Sequence, residues 1–144
     1  MRKPKMSVLA LSIVCGGLFA SPTVPEVVVI VSAKAPVEAL SVAQVSDIFL
    51  GKSANFPNGA RAVPIDQADG SAIRRAFYAK ATGKSPQLLK AYWSKLIFTG
   101  QGEPPREVMD SAAIKKLVAA NPNFIAYVEK SAVDVSVRTV LTVR

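Results

Sequence analysis

The chain has 144 residues, enough for one ordinary domain, with 18 basic and 10 acidic side chains, no histidine and one cysteine. With no imidazole and only Cys15 as a thiol, the common nucleophile–base and zinc constellations are excluded, and the scattered Asp and Glu lack calcium-loop spacing. The net charge of +8 contains no basic run and no aromatic-interleaved basic stripe, which argues against nucleic acid as a partner.

Arg2, Lys3 and Lys5 precede an uncharged, mostly apolar stretch from Met6 to Ala20, followed by Ser21 and Pro22. That order of charge, apolar run and small residues predicts a secretory leader over residues 1–20, cleaved after Ala20, and so a periplasmic domain over 21–144. The apolar run falls short of the roughly 20 residues that a spanning helix needs. A retained anchor and a lipid attachment at Cys15 are the two alternatives, the latter disfavoured by Ser12-Ile13-Val14 before the cysteine. Cleavage would remove the thiol and three of the 18 basic residues, leaving 15 against 10 acidic, or about +5. A summed field of that sign favours anionic partners weakly.

Glu26 to Val31 is a continuous β-branched run and predicts a strand covered on both faces. After a turn-rich connection carrying Pro36, Ser41 and Gln44 form a capping box. Val42, Val45, Ile48 and Phe49 then recur at helical spacing, and Gly51 stops the helix. Lys52 to Arg61 is a loop, and Ala62 to Ile65 a short strand leading into D-Q-A-D-G-S. A second helix follows with Ala72, Ile73, Ala76 and Phe77 on one face, Arg74, Arg75 and Lys80 largely off it, and Gly83 at its end. Ser85 and Pro86 open a third helix with the strongest apolar stripe of the chain: Leu88, Leu89, Tyr92, Trp93, Leu96 and Ile97.

Gly100 stops the third helix, within a Gly- and Pro-rich loop from Thr99 to Arg106. A fourth helix is capped by Asp110 or Ser111, points Ile114, Leu117 and Val118 inward, and closes at Asn121-Pro122. Phe124 to Val128 and Val137 to Val143 read as the last two strands. The order predicts an α/β fold, a mixed sheet flanked by about four helices.

The Asp69-Gly70-Ser71 turn lies where a strand ends and a helix begins. There, unpaired N–H groups and the positive dipole end suit an oxyanion, Gly70 admits close approach and the Ser71 hydroxyl can donate. The plain alternative is a helix start capped by Asp69 with nothing bound. Core packing is the plainer use of Tyr92 and Trp93, as is a solvated face for Arg74 and Arg75. The sequence A-D-G-S-A lacks the G-x-S-x-G elbow of hydrolases, and no enzyme is predicted. No metal and no cofactor is expected.

Three segments together resemble the phosphate-type (type 2) periplasmic substrate-binding proteins. S-A-K-A-P-V-E-A-L-S with V-S-D-I-F-L-G-K-S-A-N-F is similar to that family's strand, loop and "IF-x-GK-x-x-x-W" helix. V-P-I-D-Q-A-D-G-S-A-I-R-R-A-F resembles its ligand loop, and G-Q-G-E-P-P through N-P-N-F-I-A-Y-V-E its later loop, helix and "IGYVE" strand. The resemblance spans Val27 to Val133 and implies a single lobe of that fold. It also implies an anion at Asp69, Gly70 and Ser71, with Ala72 opening the helix behind them and Ser32 reaching in from the first loop. Asp69 would accept a proton from the ligand and Ser71 would donate one.

The chain departs from the family at Ala72 and Ile73, where Gly and a hydroxyl residue are usual, and at Asp66-Gln67, where a basic residue is expected. Ile73 removes a donor and Asp66 adds repulsion. The implied function is uptake of phosphate or a similar oxyanion with an ABC permease. About 120 residues supply one of two lobes, so binding would be weak unless a second copy or another envelope protein provides the opposite wall. The alternative is an envelope interaction module that keeps the lobe and has lost the ligand.

Overall fold

The computed structural model describes residues 16–17 and 25–144, so the leader reading and its cleavage site fall, apart from Gly16 and Gly17, outside the described residues. The chain runs β1 (Val27–Ser32), α1 (Val42–Phe49), β2 (Val63–Gln67), α2 (Ala72–Thr82), α3 (Pro86–Phe98) and β3 (Arg106–Val108). It continues through α4 (Ser111–Ala120), β4 (Phe124–Glu129), a 3-10 turn at Lys130–Ala132 and β5 (Val137–Val143). The five strands form one mixed sheet in the order β3-β2-β4-β1-β5.

All six residues of β1 are buried. Val27, Val29 and Val31 face a core shared with α1, α2 and α3, whereas Val28 and Ile30 face a second core built on Ile114 and Val118 of α4. An uninterrupted β-branched run is what a strand with two covered faces requires. β5 does not alternate simply. It carries a bulge, since Val29 pairs with Leu141 and Ile30 with Thr139, leaving Val140 as the extra residue. The bulge returns Val140 and Val143 to the first core while Val137 belongs to the second.

The helix boundaries follow local chemistry. Ser41 and Gln44 form the capping box of α1, with both hydrogen bonds made. Ser85 caps α3 with Pro86 in its first turn, Gly83 takes the left-handed conformation that ends α2, and Asp110 caps α4 through the Ala113 N–H. The stripe on α3 is narrower than its periodicity predicts. Leu89 and Trp93 are buried, but Leu88 and Ile97 are more than half exposed, because none of the described residues packs over the outer side of this helix. Val42 on α1 is likewise exposed, while Leu117 on α4 is half-buried. β3 starts at Arg106, the last residue of the expected loop, and continues through Glu107 and Val108, for which no element is expected. It becomes a strand by pairing in parallel with β2 (Ile65 to Arg106, Gln67 to Val108) rather than by any pattern of its own.

Both sheet edges are modified. β3 has three residues. Beside β5, the connection before α1 donates the Leu40 N–H to the Val140 carbonyl (3.0 Å), and the Arg138 guanidinium donates to the carbonyls of Ala33, Ala35 and Val37. Among the described residues, no helix is long and apolar enough to cross a membrane.

Candidate functional site

β2 delivers the turn to one end of the sheet. Its last residues, Asp66 and Gln67, are buried, the chain reverses through Ala68, Asp69 and Gly70, and α2 begins at Ala72. Gly70 holds φ +86°, a conformation that favours glycine, and a Cβ built there would meet no atom within 4 Å, so the turn is open. Ser71, not Asp69, is the N-cap, accepting from the Arg74 N–H at 3.2 Å. The Asp69 carboxylate accepts instead from the Gly70 N–H at 3.0 Å. The Ser71 N–H donates to Ala68 O, so among the described residues the Ala72 and Ile73 N–H groups are left without an acceptor.

The Ser71 hydroxyl is already committed. It donates to Gln67 Oε1 at 2.9 Å, and the Gln67 amide donates to Ser111 Oγ (3.1 Å) and to the Tyr127 carbonyl (3.3 Å). Ser111 in turn donates to Glu129 Oε2 at 2.5 Å. Gln67 thus links the starts of α2 and α4 across the end of β2. The expectation that Ser71 donates to an anion is therefore not met in this arrangement.

Asp66 does not add repulsion at the turn. It is 2% exposed and points into the aromatic core, where Tyr78 (2.7 Å) and Tyr127 donate to its carboxylate. Tyr127 stacks on Phe77 with ring centres 4.0 Å apart, and Phe49 meets Phe77 edge-on at 4.8 Å. Burial pushes the Asp66 carboxyl above its ordinary range, and the Tyr127, Arg74 and Tyr78 contacts only partly offset this. Burial, then the neighbouring Asp66 charge, also raises both tyrosines.

Arg74 is not on a solvated face. Its guanidinium donates to Gln67 O (2.9 Å) and Glu107 (2.6 Å), lies 3.6 Å from Asp66 and sits over the Tyr78 ring. Burial works against its charge, but Asp66 and Glu107 outweigh it and raise its pKa. One cation therefore fixes β3 to β2 and partly balances the buried carboxylate. The periodicity of α2 could not reveal this, because both acidic partners come from other elements.

Ser32 stands apart from the turn. β1 runs antiparallel to β4 and β2 parallel to it, so the C-terminal ends of β1 and β2 lie at opposite ends of the sheet. Ser32 is buried, donates to the Ala119 carbonyl (3.1 Å) and accepts from the Lys34 N–H. It anchors the end of α4 rather than joining Asp69, Gly70, Ser71 and Ala72.

The turn forms one lip of a cleft of about 860 Å³ between α2, α3 and the loop before β3. Tyr78, Leu89, Trp93 and Ile97 supply apolar wall, while Arg75, Lys84 and Lys90 supply cationic rim. None of these three cations forms an ion pair among the described residues, and Lys84 Nζ sits 5.0 Å from the Tyr92 ring centre. Lys84 and Lys90 are not among the residues expected at the site. Lys90 carries a signal in the recurrence of Gln87, Lys90 and Ser94 along one side of α3, all lining the cleft, whereas Lys84 precedes that helix and carries none. Trp93 is buried as expected and its Nε1–H has no acceptor among the described residues, whereas the Tyr92 hydroxyl donates to Leu50 O (2.6 Å). Among the described residues there is no cluster of three or more His, Cys, Asp or Glu that could hold a metal ion.

No family model matches the chain, and no curated protein is similar to it. Solved structures are similar. One, described as a phosphate ABC transporter substrate-binding protein with bound phosphate from Clostridium perfringens, is 29% identical with a TM-score of 0.65, over 81% of this chain and 44% of that one. An ABC-type phosphate transport receptor from Vibrio cholerae is 18% identical with a TM-score of 0.64, over 81% and 45%. PstS from Borrelia burgdorferi is 13% identical with a TM-score of 0.57, over 81% and 46%. The chain spans less than half the length of these proteins, and its fold is that of a single periplasmic-binding-protein lobe.

Proposed function

We propose that the chain is an exported, non-enzymatic solute-binding-protein-like lobe, with residues 1–20 as its leader and 21–144 as its periplasmic domain. It receives a small oxyanion such as phosphate at the start of α2, in the service of an ABC-type importer. The observation that carries this reading is the pair of unclaimed N–H groups on Ala72 and Ile73 behind the open Asp69-Gly70-Ser71 turn, which itself borders a cleft with Arg75, Lys84 and Lys90 at its rim. Likeness to a structure described with bound phosphate supports it.

Binding by the isolated chain is weak on this reading, since each hydrogen bond competes with water and contributes about 0.5–1.5 kcal/mol net. A second copy or a protein partner would supply the missing wall. Calorimetric titration with inorganic phosphate tests the proposal: heat and a raised thermal midpoint at millimolar ligand are expected, and the absence of both removes it.

A second reading, an envelope interaction module, is favoured by the exposed apolar side of α3, where Phe98 is 93% exposed beside Ile97. It requires a protein partner retained in a periplasmic pull-down in the presence of phosphate.

A further inference from the structure

We infer that the cleft between α2 and α3 takes an oxyanion carried on an apolar or aromatic body, rather than a bare inorganic ion. The inference rests on the oxyanion reading above and narrows the class of ligand.

Volume is the first reason. About 860 Å³ lies within the range of small-molecule sites, roughly 300–1,000 Å³, and exceeds what a bare tetrahedral ion fills. The second is the division of the lining. Tyr78, Leu89, Trp93 and Ile97 give the walls an apolar character that an inorganic ion cannot use. Of the lining carboxylates Glu107 is paired with Arg74, so Arg75, Lys84 and Lys90 stand against Asp69 alone and leave net positive charge for a single anionic group.

The chemistry at the turn points the same way. The Ser71 proton goes to Gln67, Arg74 is held by Asp66 and Glu107, and Ile73 offers no hydroxyl. Few side-chain donors remain to surround a phosphate on its own, so additional affinity has to come from burying something else. Trp93 is a further sign. It is 6% exposed, lines the cleft, and carries a buried indole N–H that no acceptor among the described residues satisfies. Buried polar groups left in this state are uncommon in folded proteins.

Trp93 is also the only tryptophan of the sequence, so its emission reports on this cleft alone. The test is titration of the full exported chain with inorganic phosphate, phenyl phosphate and phenol, followed by calorimetry and Trp93 fluorescence. Phenyl phosphate is expected to bind at least about tenfold more tightly than inorganic phosphate, the gain that burying one ring provides. It should change Trp93 emission, which inorganic phosphate should not do. A Lys84→Ala, Lys90→Ala double variant, altered outside the core, should keep the wild-type thermal midpoint and bind phenyl phosphate several-fold more weakly.

Equal affinities for the two phosphates with unchanged emission would overturn this inference and leave the oxyanion reading standing. Phenol binding as tightly as phenyl phosphate, with no loss in the lysine variant, would also overturn it. Silence from both phosphates would remove the oxyanion reading and this inference with it.

Discussion

The Ser71 hydroxyl donates to Gln67 Oε1 at 2.9 Å while accepting from the Arg74 N–H, so the serine at the candidate anion site is already satisfied from within. At the helix start itself what remains for a ligand is backbone, and this separates two substitutions that would otherwise look alike.

Ala72→Pro removes one unclaimed N–H and little else. Ala72 is the first helical residue, where proline is well accepted, and Ser71 already holds φ −62° and ψ 133°, which suits the position before a proline. Stability should change by less than about 0.5 kcal/mol, and inorganic phosphate binding should weaken about two- to tenfold. Ser71→Ala should do the reverse: about 1 kcal/mol of stability lost with the cap, and less than about a twofold change in binding. Calorimetry alongside urea unfolding checks both, and equal loss of binding in the two variants would show that the hydroxyl turns toward the ligand.

Asp66 makes stability depend on pH in an unusual direction for a carboxylate. Its folded pKa is raised above 3.8, so the unfolded chain releases the proton first, and stability falls as pH rises from near 3.8 through the folded value. Asp66→Asn abolishes this titration. The difference in unfolding free energy between variant and wild type should therefore shift in favour of the variant from pH 3.5 to pH 7. Asp134 is held down to about 2, first by Ser136 and then by Lys115. Its window lies below 3.8, is common to both proteins and cancels. A pH-independent difference would show that Asp66 titrates normally.

Arg74→Met should release β3. The arginine gives a charge-assisted hydrogen bond to the end of β2, of a kind that contributes about 1.5–3 kcal/mol, and a second to the half-exposed Glu107, which solvent screens to under about 1 kcal/mol. Amide exchange at Glu107 and Val108 should accelerate more than at Val29 or Tyr127, and global stability should drop by about 2–3 kcal/mol. Glu107→Gln, at a half-exposed side chain, should cost under about 1 kcal/mol.

Phe77→Ala should be the most damaging core change of the set. The ring is fully buried, stacked on Tyr127 and in edge contact with Phe49 and Tyr78, and such deletions cost about 3–5 kcal/mol. Urea unfolding measures it directly. A loss below 1 kcal/mol would mean that the aromatic core repacks.

The parts of this molecule that could be read from its sequence are those whose causes are local. Ser41 with Gln44, Ser85 with Pro86 and the left-handed Gly83 each fix a helix end within a few residues of themselves. β1 announced its two covered faces by having no polar residue between Val27 and Val31. β3 could not be read, because Arg106–Val108 is a strand only by virtue of lying beside β2. The positions of Asp66, Gln67 and Arg74 depend on Tyr127, Ser111 and Glu107, residues 33 to 61 positions away. Ser32 is expected at the turn from resemblance alone, and its separation from it follows from the opposed directions of β1 and β2, which sequence does not give. On α3 the period is real, but the covering layer it implies buries only Leu89 and Trp93, reaches Tyr92 and Leu96 in part, and leaves Leu88 and Ile97 out.

The treatment of the two outermost strands bears on how copies of this protein can meet. One border offers a ladder too short to template a neighbour, and along the other the Ala33–Leu40 stretch and the Arg138 fork occupy carbonyls that an incoming chain would need. Growth of the sheet from molecule to molecule is thereby discouraged. Any lasting companion would have to approach side chain to side chain across the helices.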